Sequence, residues 1–127
     1  MRFLPTKIHG FVDYFVGLLM IAAPWLFHFA RGGAETWVFV INGLGALIYS
    51  LLTDYELGAV HKLSMRTHLT LDFIAGLVLA ASPWIFSFAD YVYAPHLIFG
   101  LFEIMASLIT KREPSYETGH HTTMTAH

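Results

Sequence analysis

Four long apolar runs dominate the chain, at about Ile8–Phe29, Trp37–Thr53, His68–Phe88 and Tyr93–Thr110. An α-helix needs roughly 20 mainly apolar residues to cross ~30 Å of hydrocarbon, so each run has the length of a membrane span. Lipid cannot satisfy exposed backbone N–H and C=O groups, which leaves helices and closed barrels, and the runs lack the alternation of barrel strands. The expected fold class is all-α, a polytopic membrane protein with four transmembrane helices. Composition agrees, with 56% hydrophobic and only 13% charged residues, where a soluble domain carries about 25% charged. A net charge of −2 without a dense Lys/Arg cluster excludes nucleic acid and leaves the lipid bilayer as the partner. The chain has no Cys, so thiolate metal sites and dithiol chemistry fall away, and no cofactor is called for.

The first run is too irregular to be a cleaved leader. Asp13 interrupts its apolar core and Pro24 follows the small residues Ala22-Ala23. The same pattern also recurs in mid-chain. His9, Asp13, Gly17 and Leu18 align with His68, Asp72, Gly76 and Leu77 at a constant offset of 59, which continues through Pro24-Trp25 onto Pro83-Trp84 and Phe29 onto Phe88. Beyond the following loop the offset becomes 57, pairing Gly43 with Gly100 and Ser50-Leu51-Leu52-Thr53 with Ser107-Leu108-Ile109-Thr110. A repeat of this size marks two copies of one supersecondary unit, here a helical hairpin.

Of the seven Lys and Arg, six fall on one side of the expected bundle: Arg2, Lys7, Lys62, Arg66, Lys111 and Arg112, with Arg31 opposite. Positive residues are retained in the cytoplasm, which predicts both termini there. A two-helix unit returns the chain to its starting side, so the two repeats are parallel, unlike the inverted repeats of many carriers. The expected organisation is a cytoplasmic N-terminus over 1–7, hairpin repeats over 8–56 and 68–112, an interfacial connector over 57–67 and a polar tail over 113–127. In the connector Leu57, Val60 and Leu63 recur at about helical spacing, and the tail carries His120, His121 and His127.

The residues that recur resemble a known family. Ser82-Pro83-Trp84, preceded by His68, Asp72 and Gly76, matches the SPW-repeat integral membrane proteins of bacteria. The first copy reads Ala23-Pro24-Trp25 and departs at the serine. The resemblance covers about residues 8–111; it implies the duplicated membrane architecture and carries no activity.

Pro24 and Pro83 each remove a backbone donor, which bends or ends a helix, while Trp25 and Trp84 suit the membrane interface. Anchoring and helix shaping are the preferred roles of this motif. The spacing His-x-x-x-Asp puts both side chains on one helical face, so His9, Asp13 and Gly17 form one stripe and His68, Asp72 and Gly76 its twin. Glu103 in the fourth run lies at similar depth. Gly17, Gly43, Gly76 and Gly100 suit close helix packing, and Asn42 suits interhelical hydrogen bonding.

Intramembrane His, Asp and Glu are costly, and by default they face protein or water. The preferred reading of His9, Asp13, His68, Asp72 and Glu103 is a structural polar cluster in a structural or interaction module. The alternative is a small ion, metal or proton transport or relay protein, and whether a metal is held stays open. No nucleophile elbow, phosphate loop or His-Glu-x-x-His helix is present, so an enzyme is not expected. A homo-oligomer or a membrane-protein partner is left open.

Overall fold

A computed structural model describes residues 2–113, which form four helices: α1 Thr6–Leu26, α2 Ala34–Leu51, α3 Met65–Ile85 and α4 Ala94–Ile109. The tail histidines His120, His121 and His127 lie outside the described residues. α1 packs chiefly on α2 and α3 on α4, α2 closes against α3, and α1 and α4 barely meet. The lateral surface is apolar: Phe15, Ile41, Ile74 and Ile98 are each more than half exposed. α1, α2 and α3 are long and apolar enough to cross a membrane. α4 is an apolar helix of 16 residues, rising ~24 Å. The chain is a multi-pass membrane protein.

The helices do not coincide with the apolar runs. α1 and α3 begin before them, because Pro5 and Ser64 start the helix in polar sequence. The Pro5 carbonyl accepts from His9 N at 3.1 Å, and the Ser64 hydroxyl accepts from Thr67 N at 3.1 Å. They also end earlier, at the prolines. Pro24 and Pro83 lie in the last turn, where each carbonyl accepts two amides beyond the helix, from Phe29 and Ala30 at 2.9 Å each and from Phe88 and Ala89 at 2.8 and 2.9 Å. The turn is closed by a residue in the left-handed region, His28 (φ 59°) in one copy and Ser87 (φ 60°) in the other. That reversal tucks Phe29 and Phe88 into the bundle, both over 90% buried.

Serine in the second copy has its own local reason. Pro83 cannot donate to the carbonyl four residues back, and the Ser82 hydroxyl donates to that same Leu79 carbonyl at 2.7 Å. Ala23 offers no such donor to Met20. Trp25 and Trp84 are half-exposed at the loop end of the bundle. Trp37 sits there too, its indole N–H donating to the Gly32 carbonyl at 3.1 Å.

Within each hairpin the backbones meet at glycines. A Cβ built on Gly43 would stand 2.6 Å from the Gly17 carbonyl oxygen, and one built on Gly100 would stand 2.6 Å from that of Gly76. Association in lipid relies on such close packing, since apolar burial itself gains little there.

Between α2 and α3, residues 52–64 form no helix; Tyr55 is fully buried with Leu57 packed beside it, while Val60 stays exposed. Gly10 and the Tyr14 hydroxyl, which donates to the Leu57 carbonyl at 2.7 Å, provide the room and the anchor. A short bridge pairs Thr53 with Leu63, and its repeat equivalent pairs Thr110 with Leu4. Each repeat is thus laced at its start to the end of the other.

Candidate functional site

The site forms where the two hairpins face each other, one turn or two inside the end of the bundle that carries the termini. α1 supplies His9 and Asp13, α3 supplies His68 and Asp72, and the i, i+4 spacing directs each pair toward the other. His9 and His68 are almost wholly buried, and their rings meet edge to face at 5.4 Å between centroids. His9 Nε2 lies 2.9 Å from Asp13 Oδ1 and 2.8 Å from Asp72 Oδ2, while His68 Nε2 lies 2.9 Å from Asp13 Oδ2 and 3.3 Å from Asp72 Oδ2. Every histidine in the group therefore contacts an aspartate of its own helix and one of the other repeat.

The hydrogen-bond network fixes where the ring protons sit. His9 Nδ1 is 2.7 Å from the Thr110 hydroxyl, and His68 Nδ1 is 2.8 Å from that of Thr53. Each hydroxyl spends its single proton on the carbonyl four residues back, Thr110 on Ala106 and Thr53 on Tyr49, both at 2.6 Å. The hydroxyls are left as acceptors, so both Nδ1 atoms carry the proton. The free positions are then a pair of Nε2 atoms facing two carboxylates. Further donors hold these: the Tyr49 hydroxyl donates to Asp72 Oδ1, and the Tyr55 hydroxyl donates to Asp13 Oδ2 at 3.3 Å. Burial, and then the charge of Asp13, push the Tyr55 phenol above its ordinary range, which keeps it a donor.

Two charge states satisfy this arrangement. With both rings protonated, two imidazoliums face two carboxylates and the group is neutral. With both rings neutral, two nitrogen lone pairs and two carboxylates surround a site of charge −2, which a divalent cation would balance. One ligand atom from each of the four residues lies within 4.8 Å of all the others. His68 Nε2, though close to both carboxylates, is buried and makes no well-directed hydrogen bond. Imidazole and carboxylate suit zinc, iron or manganese, and Thr and Tyr provide the outer contacts that orient such ligands.

Of the five acidic and histidine residues expected to converge, the structure brings four together in this way. Glu103 stands beside them, lining a cavity of about 30 Å³ with His9, Asp13, Tyr49 and Asp72, and its buried Oε2 has no hydrogen-bond partner among the described residues. Asn42 lies away from the cluster, on the α2–α3 seam, where its amide donates to the Ala75 carbonyl at 3.1 Å. The repeat-motif residues Pro24, Trp25, Ser82, Pro83 and Trp84 lie at the loop end, outside the cluster.

The family comparison agrees with what these residues build. A family model, the SPW repeat domain, matches residues 7–110. The chain belongs to the SPW repeat family. No curated protein and no solved structure matches it. In this SPW protein the matched span begins just before His9 and ends on Thr110, so it encloses the whole histidine–aspartate group and its threonine partners.

Sequence reasoning misses the threonines and tyrosines. Thr53 and Thr110 are visible as repeat mates, but nothing local ties them to histidines 15 and 101 positions away. It also misses His96, which is fully buried at the loop end with Nε2 2.9 Å from the Glu35 carbonyl. Its ring packs against Phe29, Phe39 and Phe88 at centroid distances of 5.2, 4.6 and 4.8 Å. By the repeat offset its counterpart is Phe39, so an aromatic plug closes the bundle axis at one end and the histidine–aspartate group closes it at the other.

Proposed function

We propose that this chain is a structural module of the bacterial inner membrane, with both termini cytoplasmic, in which a divalent cation held by His9, Asp13, His68 and Asp72 joins the two hairpins. The observation that carries this reading is the convergence of two Nε2 atoms and two carboxylates while both Nδ1 protons are committed to threonines. Arg2, Lys7, Lys62, Arg66, Lys111 and Arg112 at the terminal end support the orientation. The role is mechanical: each repeat contributes one histidine and one aspartate, so neither hairpin completes the site alone. No covalent chemistry is part of this reading.

The test is elemental analysis of protein purified in detergent with His120, His121 and His127 replaced by Ala, so that the tail contributes no ligands. Close to one zinc, iron or manganese per chain is expected, lost in Asp13→Asn/Asp72→Asn. A metal-free wild type whose stability does not change when these cations are added sinks the cation and leaves the neutral imidazolium–carboxylate group as the latch. A second reading, proton or ion relay, rests on Glu103 and its unpartnered Oε2 beside the cavity. Reconstituted vesicles distinguish the two. A proton or cation flux abolished by Glu103→Gln in protein that keeps its fold would replace the structural reading with the relay.

A further inference from the structure

The two repeats differ most at the terminal end, in the segment beyond the second helix of each hairpin. After α2 the chain turns inward, and Tyr55 and Leu57 fill the space over Gly10. The offsets of 59 and 57 put Leu69 at the place of Gly10, Phe73 at that of Tyr14, Leu108 at that of Leu51 and Arg112 at that of Tyr55. Where the first repeat is filled, the second has an open cavity of about 350 Å³, whose lining includes the apolar Leu69, Phe73 and Leu108 and the cationic Arg2, Arg66 and Arg112. The corresponding positions in the filled half hold His61, Lys7 and Tyr55, so the arginine triad belongs to the open half alone.

Among the described residues none of the three arginines is in an ion pair. Arg2 is anchored by its own bonds, donating from Nη1 to the carbonyls of Ser107 at 2.6 Å and Thr110 at 2.8 Å, which caps the C-terminus of α4. Burial, then the charges of Arg112 and Arg66, lower its pKa from the ordinary value, so the triad repels itself as it stands. Lys111 and Glu113, which border Arg2 and Arg112 on another face, offset each other in charge. Guanidinium groups are matched to phosphate oxygens in geometry and charge. The apolar lining residues belong to α3 and α4, whose Ile74, Met105 and Leu108 are about half exposed.

We propose that this cavity binds a phosphate ester, with Arg66 and Arg112 gripping the phosphate, Arg2 fixing the floor, and the apolar lining taking the adjoining hydrocarbon of a phospholipid. The site is independent of the histidine–aspartate group and of any metal there. Its filled counterpart in the first repeat takes no such ligand, so one site per chain follows.

Native mass spectrometry and lipid competition on the full chain test this, using dioleoyl phosphatidylglycerol or cardiolipin against dioleoyl phosphatidylcholine, and inorganic phosphate alone by calorimetry. Wild type is expected to retain one anionic lipid with at least a tenfold preference over phosphatidylcholine. Arg66→Gln/Arg112→Gln is expected to lose that preference about tenfold with an unchanged thermal midpoint. Lys7→Gln/Lys62→Gln, which removes as much charge from the same end, is expected to keep it. Equal loss in both double variants would reduce the triad to diffuse surface charge and overturn the site, as would an unchanged preference in Arg66→Gln/Arg112→Gln. Saturable inorganic phosphate binding that displaces the lipid and disappears in Arg66→Gln/Arg112→Gln would keep the phosphate site but assign it to the free ion. A wild type that binds neither overturns the proposal.

Discussion

The two seams between the hairpins began as copies of one another and no longer match. At the α2–α3 seam Asn42 reaches across to the Ala75 carbonyl. The repeat offsets place Phe99 and Val16 at the same points of the α1–α4 seam. There two bulky side chains replace an amide and a methyl and the helices barely meet; an apolar cavity of about 230 Å³ opens among Val16, Leu19, Ile98, Phe99 and Phe102, and the α2–α3 seam keeps one of about 480 Å³ among Trp37, Ile41, Asn42, Ala75 and Phe86 beside its hydrogen bond. In water such a gap would cost the full hydrophobic penalty, whereas in a bilayer acyl chains fill it at little cost. The seams differ, while the histidine–aspartate group at the axis, which draws on all four residues at once, has two-fold form. Lipid as solvent relaxes the constraint on apolar contacts and leaves it on buried polar ones.

The sharpest way to break this comparison is at the axis. Asp13→Ala and Asp72→Ala each leave buried imidazoles and a tyrosine hydroxyl without their acceptor, and truncating one partner of a buried pair costs about 3–5 kcal/mol. Reversible unfolding in mixed micelles should show losses of that size for both. A loss below about 1 kcal/mol at either position, less than a typical single mutation in a packed site, would show that the axis is no more constrained than the seams.

Next come the intra-hairpin contacts, where the copies have stayed alike. A Cβ on Gly100 would fall 2.5 Å from the Ala80 backbone nitrogen, and one on Gly43 2.6 Å from the Gly17 carbonyl oxygen. Gly43→Ala and Gly100→Ala should each destabilise by about 1–3 kcal/mol, the range for overpacking. If the same unfolding assay found one of them neutral, that hairpin would have more slack than its partner.

The seams themselves should respond less. Asn42→Phe installs at α2–α3 the residue of the other seam and removes the interhelical hydrogen bond. A cost of about 1 kcal/mol is expected, near the upper part of the range for such bonds in membranes. A cost equal to that of the aspartate variants would make this seam, and not the axis, the main tie between hairpins.

Smallest is the difference inside the family motif. Ser82→Ala leaves the Leu79 carbonyl without its hydroxyl donor and should cost ~0.6 kcal/mol. Ala23→Ser, which supplies the same donor opposite Met20, should change stability in the other direction by a similar amount. Opposite signs in thermal midpoints would support the serine as a replacement for the donor that proline removes, and like signs would refute it.

Much of this molecule is legible along the chain because its solvent is lipid. Four apolar runs have to be helices, and the duplication of His9, Asp13 and Pro24 onto His68, Asp72 and Pro83 requires that the hairpins be alike. The helix ends are less legible. Apolar runs report where lipid is, whereas Pro5, Ser64 and the left-handed His28 and Ser87 determine where hydrogen bonding starts and stops. The spacing of Leu57, Val60 and Leu63 carries no trace of the space over Gly10, and only the folded chain shows that Leu57 fills it.

The sequence by itself determined the all-α class, the spans, the parallel duplication and the family, and it singled out five polar residues of which four meet at the axis, because each follows from period, length or repetition along the chain. The tertiary structure alone decided that Thr53 and Thr110 hold the imidazole tautomers, that Tyr49 and Tyr55 support the aspartates, that Glu103 stands beside the group, and that three arginines gather over an open cavity in one half. These contacts join residues far apart in the chain and mostly unmatched between the copies. They depend on how closely the glycine faces let the helices approach and on which side chains fill the space between them.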